Sequence, residues 1–427
     1  MSKLDELIKK LCPDGVEYKR LGEIGEFYGG LSGKSKKDFS DGNYPYISYM
    51  NVYQHISVLL PSADMVVIKE GEKQNRVQYG DILFTGSSET PEECGFSSVV
   101  TQQIDYPLYL NSFSFGLRLT DRLLLNPEFA KYVFRSHNVR KQIIRTANGV
   151  TRFNVSKSKM KNVRIPVPPL EVQSEIVKIL DNFTELTAEL TAELTARKKQ
   201  YEYYRNRLLT FDRNVVPLIP LGDLCNISRG ASPRPIAQFI TSDEDGVNWI
   251  KIGDASPDSK FIFHTSEKIT REGAKKSHFV KCGDFILSNS MSFGRPYILK
   301  VDGCIHDGWL ALSNFQNDLV PDYLYHILCS TYIQNEFKRR ASRGGSIKNL
   351  NADIVKAIRI PVPDLSIQRR ISDVLDNFDK VCNDLHIGLP AEIEARKKQY
   401  EFYRDSLLTF LEKGESILTE QNRTEQN

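Results

Sequence analysis

The sequence predicts an α+β protein of two tandem mixed α/β globules, joined by long helices that pair as an antiparallel intramolecular coiled coil. Three observations carry this reading. The 427 residues are 40% hydrophobic, enough to bury more than one core. The chain is one unit written twice. Each copy ends in an apolar stripe at helical spacing that is longer than a globule needs.

The duplication is plainest in "ARKKQYEYYRNRLLTF" from Ala196 and "ARKKQYEFYRDSLLTF" from Ala395, which agree at 13 of 16 positions. "RIPVPPLEVQSEIVKILDNF" from Arg164 and "RIPVPDLSIQRRISDVLDNF" from Arg359 agree at 12 of 20. Fainter echoes lie further out: "RLGEI" and "PLGDL", "YGDILFTGS" and "CGDFILSNS", "NPEFAKYVF" and "VPDYLYHIL". A period of about 200 residues is too long for a solenoid and means two modules.

Taken in order, residues 1–13 form an amphipathic helical segment, "KLDELIKKL", expected to pack beside the end of the second long helix. Residues 14–163 form the first globule, with β-type runs such as "VVTQQI" and "FSFGLRL" between Gly, Asn and Ser punctuation. Residues 164–213 form the first helical spacer. After "IPVPP", where extended residues before proline yield to a helix start, Leu170, Ile176, Leu180, Phe183, Leu186, Leu190 and Leu194 hold one face. Residues 214–358 form the second globule, with runs "NWIKIG" and "PYILKV". Residues 359–412 form the second spacer, whose stripe (Leu365, Ile371, Leu375, Phe378, Leu385) is broken at Gly388 and Pro390. Residues 413–427 are expected to be a flexible tail.

Several classes are excluded. No apolar run approaches the roughly 18 residues of a membrane span, and the start lacks a signal-peptide core, so no membrane contact and a cytoplasmic location are expected. Seven scattered cysteines without CxxC spacing read as reduced core thiols, and no metal site is expected. "YGGLSGKS" misses a phosphate-binding loop because Tyr28 stands where the first glycine belongs. "PDGVEYK" crowds a nuclease-like acid pair into four residues on no clear strand. "NPEF" departs from the aminomethyltransferase signature at Glu128 and suits helix capping instead. No histidine pairs with an acid and a nucleophile, so no catalytic residue is expected.

A net charge of +3 demands no polyanion, but its distribution is uneven. Lys131 to Arg164 holds ten basic residues and no acid; Lys338 to Arg359 holds seven against Asp353 alone. One such run is ordinarily a solvated face. Two at matching offsets, as in the pairs Arg145 and Arg340 or Lys161 and Lys356, suit phosphate backbones.

Two globules separated by repeated helices, "GVTRFNVSKSKMKNVRIPVPPLEVQSEI" closing the first, and the tetrad run "ELTAELTAELTA" from Glu185 resemble the specificity subunit of a type I restriction-modification system, in the subgroup with TAEL spacer repeats. The resemblance covers nearly the whole chain. It implies that each globule is a target-recognition domain reading one half of a split site in double-stranded DNA. The helices would set the unspecified gap and dock two methyltransferase subunits, which recruit two restriction subunits. S-adenosylmethionine, ATP and Mg2+ would belong to those partners, leaving this chain non-catalytic and without a cofactor.

Under that implication, basic side chains near the helical junction hold phosphates while polar side chains on variable loops reach base edges. The DNA-binding candidates are Lys34, Lys36, Ser87, Arg145, Arg152 and Asn154 in the first copy, and Arg229, Arg234, Asn289, Arg340, Lys348 and Asn349 in the second. Arg152 and Asn154 lie in "GVTRFN", which matches "GGSIKN" from Gly344, and that loop is favoured most; its plain alternative is a glycine-terminated turn. Candidates for partner binding are Leu186, Leu190, Leu194, Tyr201, Tyr204, Tyr400 and Tyr403, the aromatics exceeding what a two-helix seam requires. Two other classes remain open: a tandem protein-binding scaffold without DNA readout, and a self-sufficient nuclease or methyltransferase.

Overall fold

A computed structural model describes the chain except residues 1, 257–258, 290–292, 342–348, 385, 411 and 413–427. It divides into two compact units, Met1–Ala188 with Ala395–Asn427, and Glu189–Glu394.

In the first unit, strands Gly25–Gly29, Ser114–Leu119, Ile82–Thr85 and Ser97–Val99 form an antiparallel sheet in that order. Alternate residues Ile82, Phe84, Phe115 and Leu117 face a core shared with helix Pro127–Val133. Asn126 caps that helix by accepting from the Glu128 amide at 3.0 Å, with Pro127 at the first turn, so "NPEF" is a capping element. A three-stranded sheet (Met65–Val66, Tyr44–Ile47, Tyr109–Leu110) lies further out.

The second unit follows the same plan with larger sheets. Asn226–Arg229, Trp309–Ser313, Phe285–Ser288, Pro296–Leu299 and Phe261–Ile262 form one sheet; Ile240–Thr241, Glu267–Ile269, Val247–Ile250, Gly303–Ile305 and His278–Val280 form the other. Here helix Pro321–Cys329 takes the place of Pro127–Val133.

Each globule is closed at its neck by a two-stranded ribbon in the same register: Tyr18↔Pro166 to Arg20↔Arg164 in the first, Leu218↔Pro361 to Pro220↔Arg359 in the second. The glycines of the "LGEI" and "LGDL" echoes are required by close approach. A Cβ on Gly22 would stand 2.9 Å from Lys161 Cβ, and one on Gly222 would stand 3.0 Å from Lys356 Cβ.

The first spacer is one helix, Leu170–Leu208, whose Val172, Ile176, Val177 and Leu180 enter the first core and whose Tyr201 enters the second. The second breaks into Leu365–Asn383 and Leu389–Leu407, because Gly388 and Pro390 interrupt it as the sequence predicts. The N-terminal helix Lys3–Leu11 is closed by a Ser2–Asp5 capping box and buries Leu4 in the first core. Leu7, Ile8 and Phe410 pack on the same cluster, and the Tyr18 hydroxyl donates to the Phe410 carbonyl at 3.1 Å. The expected contact with the end of the second spacer is present.

Two expectations need correction. Of "VVTQQI" only Val99 is in a strand; Val99 and Val100 are buried, but the polar residues after them run on as irregular chain with a bend at Gln102. Five of the seven free cysteines are buried, whereas Cys282 is exposed and Cys329 half-buried, so the thiols are not all core. Leu385 and the tail 413–427 fall outside the described residues.

Candidate nucleic-acid interface

The favoured loop is the turn of a hairpin, Ala147–Asn148 against Phe153–Val155, rather than a helix terminator. Gly149 turns the chain at φ +139°, where a Cβ would fall 2.0 Å from the Arg152 carbonyl. The hairpin pairs with Ser87–Ser88, placing Asn154 opposite Ser87. The Val155 amide donates to the Gly86 carbonyl at 2.9 Å. Arg152, Ser87, Tyr49, Met50, Phe113 and Glu89 line a groove of about 590 Å³ beside it. The structure thus brings three of the six first-copy candidates together. Arg152 and Asn154 are exposed, whereas Ser87 is buried with its carbonyl accepting from the Tyr49 hydroxyl at 2.8 Å.

The second unit repeats one bond of this arrangement. The Leu350 amide donates to the Asn289 carbonyl at 2.9 Å, so Asn349 stands where Asn154 does and is likewise exposed. Lys348 lies outside the described residues. Arg229, Arg234 and Asn289 converge on Asp307, which sequence reasoning missed. Arg229 Nε donates to its carbonyl at 3.1 Å, Asn289 Nδ2 donates to the same carbonyl at 2.9 Å, and Arg234 lies 3.5 Å from its carboxylate. Burial raises the Asp307 carboxyl, but the Ser232 hydroxyl and the charges of His306, Arg229 and Arg234 outweigh it and hold the carboxyl below its usual range. Asn289 is buried and therefore orients this loop, while the two arginines remain exposed.

The basic runs sort differently from expectation. Arg135 and Arg140 both lie over the Phe96 ring, at 4.4 and 4.7 Å from its centroid, and donate to backbone carbonyls, Arg140 to those of Gly95, Glu92 and Cys94. Burial pushes both guanidinium groups down to about 10, still charged at neutral pH. Lys131 bridges Glu128 and Asp181, and Arg164 pairs with Glu412. Arg145, Arg152, Lys157, Lys159 and Lys161 are exposed. In the second run Arg340 is half-buried and shares Glu336 with Arg339. Lys36 is exposed, but Lys34 is corrected: its side chain is 5% exposed and bound to Glu72 at 2.5 Å. The Lys34 hydrogen bond chiefly pulls Glu72 down to about 2, so this lysine is a buried brace and not a phosphate contact.

Each globule is locked to its helix by the same glutamine. Gln173 Oε1 accepts from the Asn126 amide at 2.8 Å, and its Nε2 donates to the Leu124 and Pro168 carbonyls; Gln368 does this to Val320, Asp318 and Pro363. Beside the lock, the Tyr132 hydroxyl donates to Asp181 at 2.5 Å, and Tyr132 lies edge-on to Tyr400. In the second unit His326 Nε2 meets Asp376 at 2.8 Å and its Nδ1 meets the Tyr201 hydroxyl at 3.1 Å.

This overturns part of the partner-binding expectation. Tyr201 is buried core and Tyr400 is half-buried against Tyr132, because the helix presents them to its globule. Tyr204 and Tyr403 stack on Phe378 and Phe183 with their outer faces exposed. Leu186 is exposed, and Leu190 and Leu194 are half-buried. Within "YEYY" and "YEFY" the most exposed aromatics are two that the sequence reading passed over, Tyr203 at 55% and Phe402 at 69% exposure. Their equivalent places in "YEYY" and "YEFY" could have marked them.

Each unit thus carries exposed polar and basic donors near the equivalent amide-to-carbonyl bond: Arg152 and Asn154 in the first, Arg229, Arg234 and Asn349 in the second. The family model for the "Type I restriction modification DNA specificity domain" matches residues 13–197 and again 217–395, and the chain belongs to that family. The chain is similar to the "Type I restriction enzyme EcoR124I/EcoR124II specificity subunit" of Escherichia coli, at 36% identity over 60% of this chain and 65% of that one. It is also similar to S.HindORF215P of Haemophilus influenzae, at 29% identity over 95% and 98%. The fold is that of a solved chain described under complex assembly and conformational transition of the type I R-M system, with a TM-score of 0.65, 18% identity and 93% and 98% coverage. It is likewise that of the HsdS subunit of Thermoanaerobacter tengcongensis, with a TM-score of 0.51, 17% identity and 93% and 96% coverage. The family is the non-catalytic, DNA-recognising component of these systems. Among the described residues no helix is long and apolar enough to cross a membrane.

Proposed function

We propose that the two globules, residues 14–163 and 214–358, each read one half of a split site in double-stranded DNA, with the helical spacers setting the gap between halves. The observation that carries this is a duplicated bond: Val155 and Leu350, the residues after exposed Asn154 and Asn349, donate their amides to the equivalent carbonyls of Gly86 and Asn289. Arg152, Asn154, Lys36 and Arg145 in the first unit, and Arg229, Arg234, Asn349 and, less directly, Arg340 in the second, are the contacts we assign. Of the other candidates, Ser87 and Asn289 shape the loops from beneath; Lys348, outside the described residues, stays a candidate.

The chain serves as the recognition and assembly component of a larger complex. On this reading the outward faces of Tyr203, Tyr204, Phe402 and Tyr403, with Leu186, Leu190 and Leu194, receive two methyltransferase subunits, and two restriction subunits join through them. S-adenosylmethionine, ATP and Mg2+ act on those subunits, and the assembly works in the cytoplasm. The TAEL tetrads act as a length gauge.

The test is a methylome of cells carrying this chain with its methyltransferase partner. One bipartite motif is expected; a continuous motif, or none, overturns the reading.

A further inference from the structure

We propose that the first unit reads its half-site through an apolar pair, Phe113 and Met50, that seats the 5-methyl group of a thymine in the major groove. This rests on the reading above that the unit recognises duplex DNA.

Phe113 is 60% exposed although its loop is tightly held. Its amide donates to Asn111 Oδ1 at 2.9 Å and its carbonyl accepts from the Gly86 amide at 2.7 Å. Asn111 is itself buried and donates to the Ile47 carbonyl and the Ser114 hydroxyl. The ring therefore stands on fixed backbone, with the Arg152 guanidinium 5.9 Å from its centroid and exposed Met50 on the same groove, and two apolar side chains fixed on one groove suit a small apolar contact.

Charge identifies the occupant. The hairpin walling the groove carries exposed Arg152, and Lys159 donates to its Asn148 at 3.0 Å, which suits a polyanion. Glu89 and Glu93 also line the groove, where they would repel a phosphate, so base edges suit its interior while the backbone suits Arg152 on its wall. Glu93 is fixed there by the Tyr53 hydroxyl at 2.6 Å. The major-groove group that an apolar side chain reads is the thymine methyl. In the second unit the Gly308 carbonyl accepts from the Asn289 amide at 3.0 Å, the bond Phe113 makes to Gly86, so glycine stands in the ring's place. The apolar reader belongs to one half-site alone.

The test uses the full chain assembled with its methyltransferase partner and duplexes carrying the motif found in the methylome. Each thymine of the first half-site is replaced singly by deoxyuridine, which lacks only the 5-methyl group. One replacement is expected to weaken wild-type binding about fourfold, the weight of one buried methyl group. Phe113→Ala should bind thymine DNA more weakly and be indifferent to that replacement, while Phe113→Leu keeps the discrimination. Met50→Ala should lose part of it. A first half-site without thymine, or a deoxyuridine effect unchanged in Phe113→Ala, overturns the proposal and leaves the bipartite reading standing. Absence of any duplex binding by the wild-type assembly overturns both.

Discussion

His326 Nε2 lies 2.8 Å from Asp376 Oδ1, at the place where the first unit sets the Tyr132 hydroxyl 2.5 Å from Asp181. Both pairs join a globule to the helix that follows it, so the duplicated chain keeps the junction while changing its donor. Lys260 adds a second contact to Asp376 at 2.9 Å, with its own side chain 10% exposed.

Burial raises the Asp376 carboxyl, but the bonds from His326 and Lys260 outweigh it and hold the group below its ordinary 3.8. A carboxyl depressed on folding adds stability above its unfolded value and loses it as pH falls through the folded one. Protection of helix Pro321–Cys329 against hydrogen exchange should therefore decline below about pH 4. Asp376→Asn should lower it at pH 7 by about 1.5 kcal/mol, the low end for hydrogen bonds to a charged group because Asp376 is only half-buried, and flatten the acid decline.

Gln173 and Gln368 are wholly buried and make three hydrogen bonds each. Alanine at either orphans an amide and two carbonyls, and should destabilise its own unit by about 2–3 kcal/mol. Hydrogen exchange resolved by unit should show the loss confined to the altered copy.

Arg152→Ala and Arg229→Ala remove exposed cations without touching either core. Each should weaken duplex binding and reduce the slope of log affinity against log salt by about one if it holds one phosphate. A salt titration that leaves both slopes at the wild-type value would remove these residues from the interface.

Adding or deleting one TAEL tetrad changes a helix by about 6 Å. The motif in the methylome should keep both halves and change its gap by about one to two base pairs. Altered half-sites, or a constant gap, would retire the gauge.

Tyr203→Ala with Phe402→Ala deletes outward rings that, among the described residues, join neither main core cluster. Assembly with the methyltransferase subunit should fall at least tenfold in a titration followed by size-exclusion chromatography, as expected of aromatic anchors, with circular dichroism unchanged.

Duplication, helical stripe, the break at Gly388 and the cap at Asn126 were all legible from residue order, because each is a local or periodic property that neighbouring positions impose on the backbone. The favoured loop was legible in place but not in form: "GVTRFN" is a hairpin turn because Ser87–Ser88, distant in sequence, supplies the third strand. Tertiary structure alone decided which charges face outward. Lys34, Arg135, Arg140 and Lys131 look like surface cations in a one-dimensional reading, yet each meets a carboxylate or carbonyl brought from elsewhere in the chain. Tyr201 and Tyr203 are two residues apart on one helix; the first is core and the second is exposed. Periodicity says that two such residues point apart, but only the packed globule says which of the directions is inside.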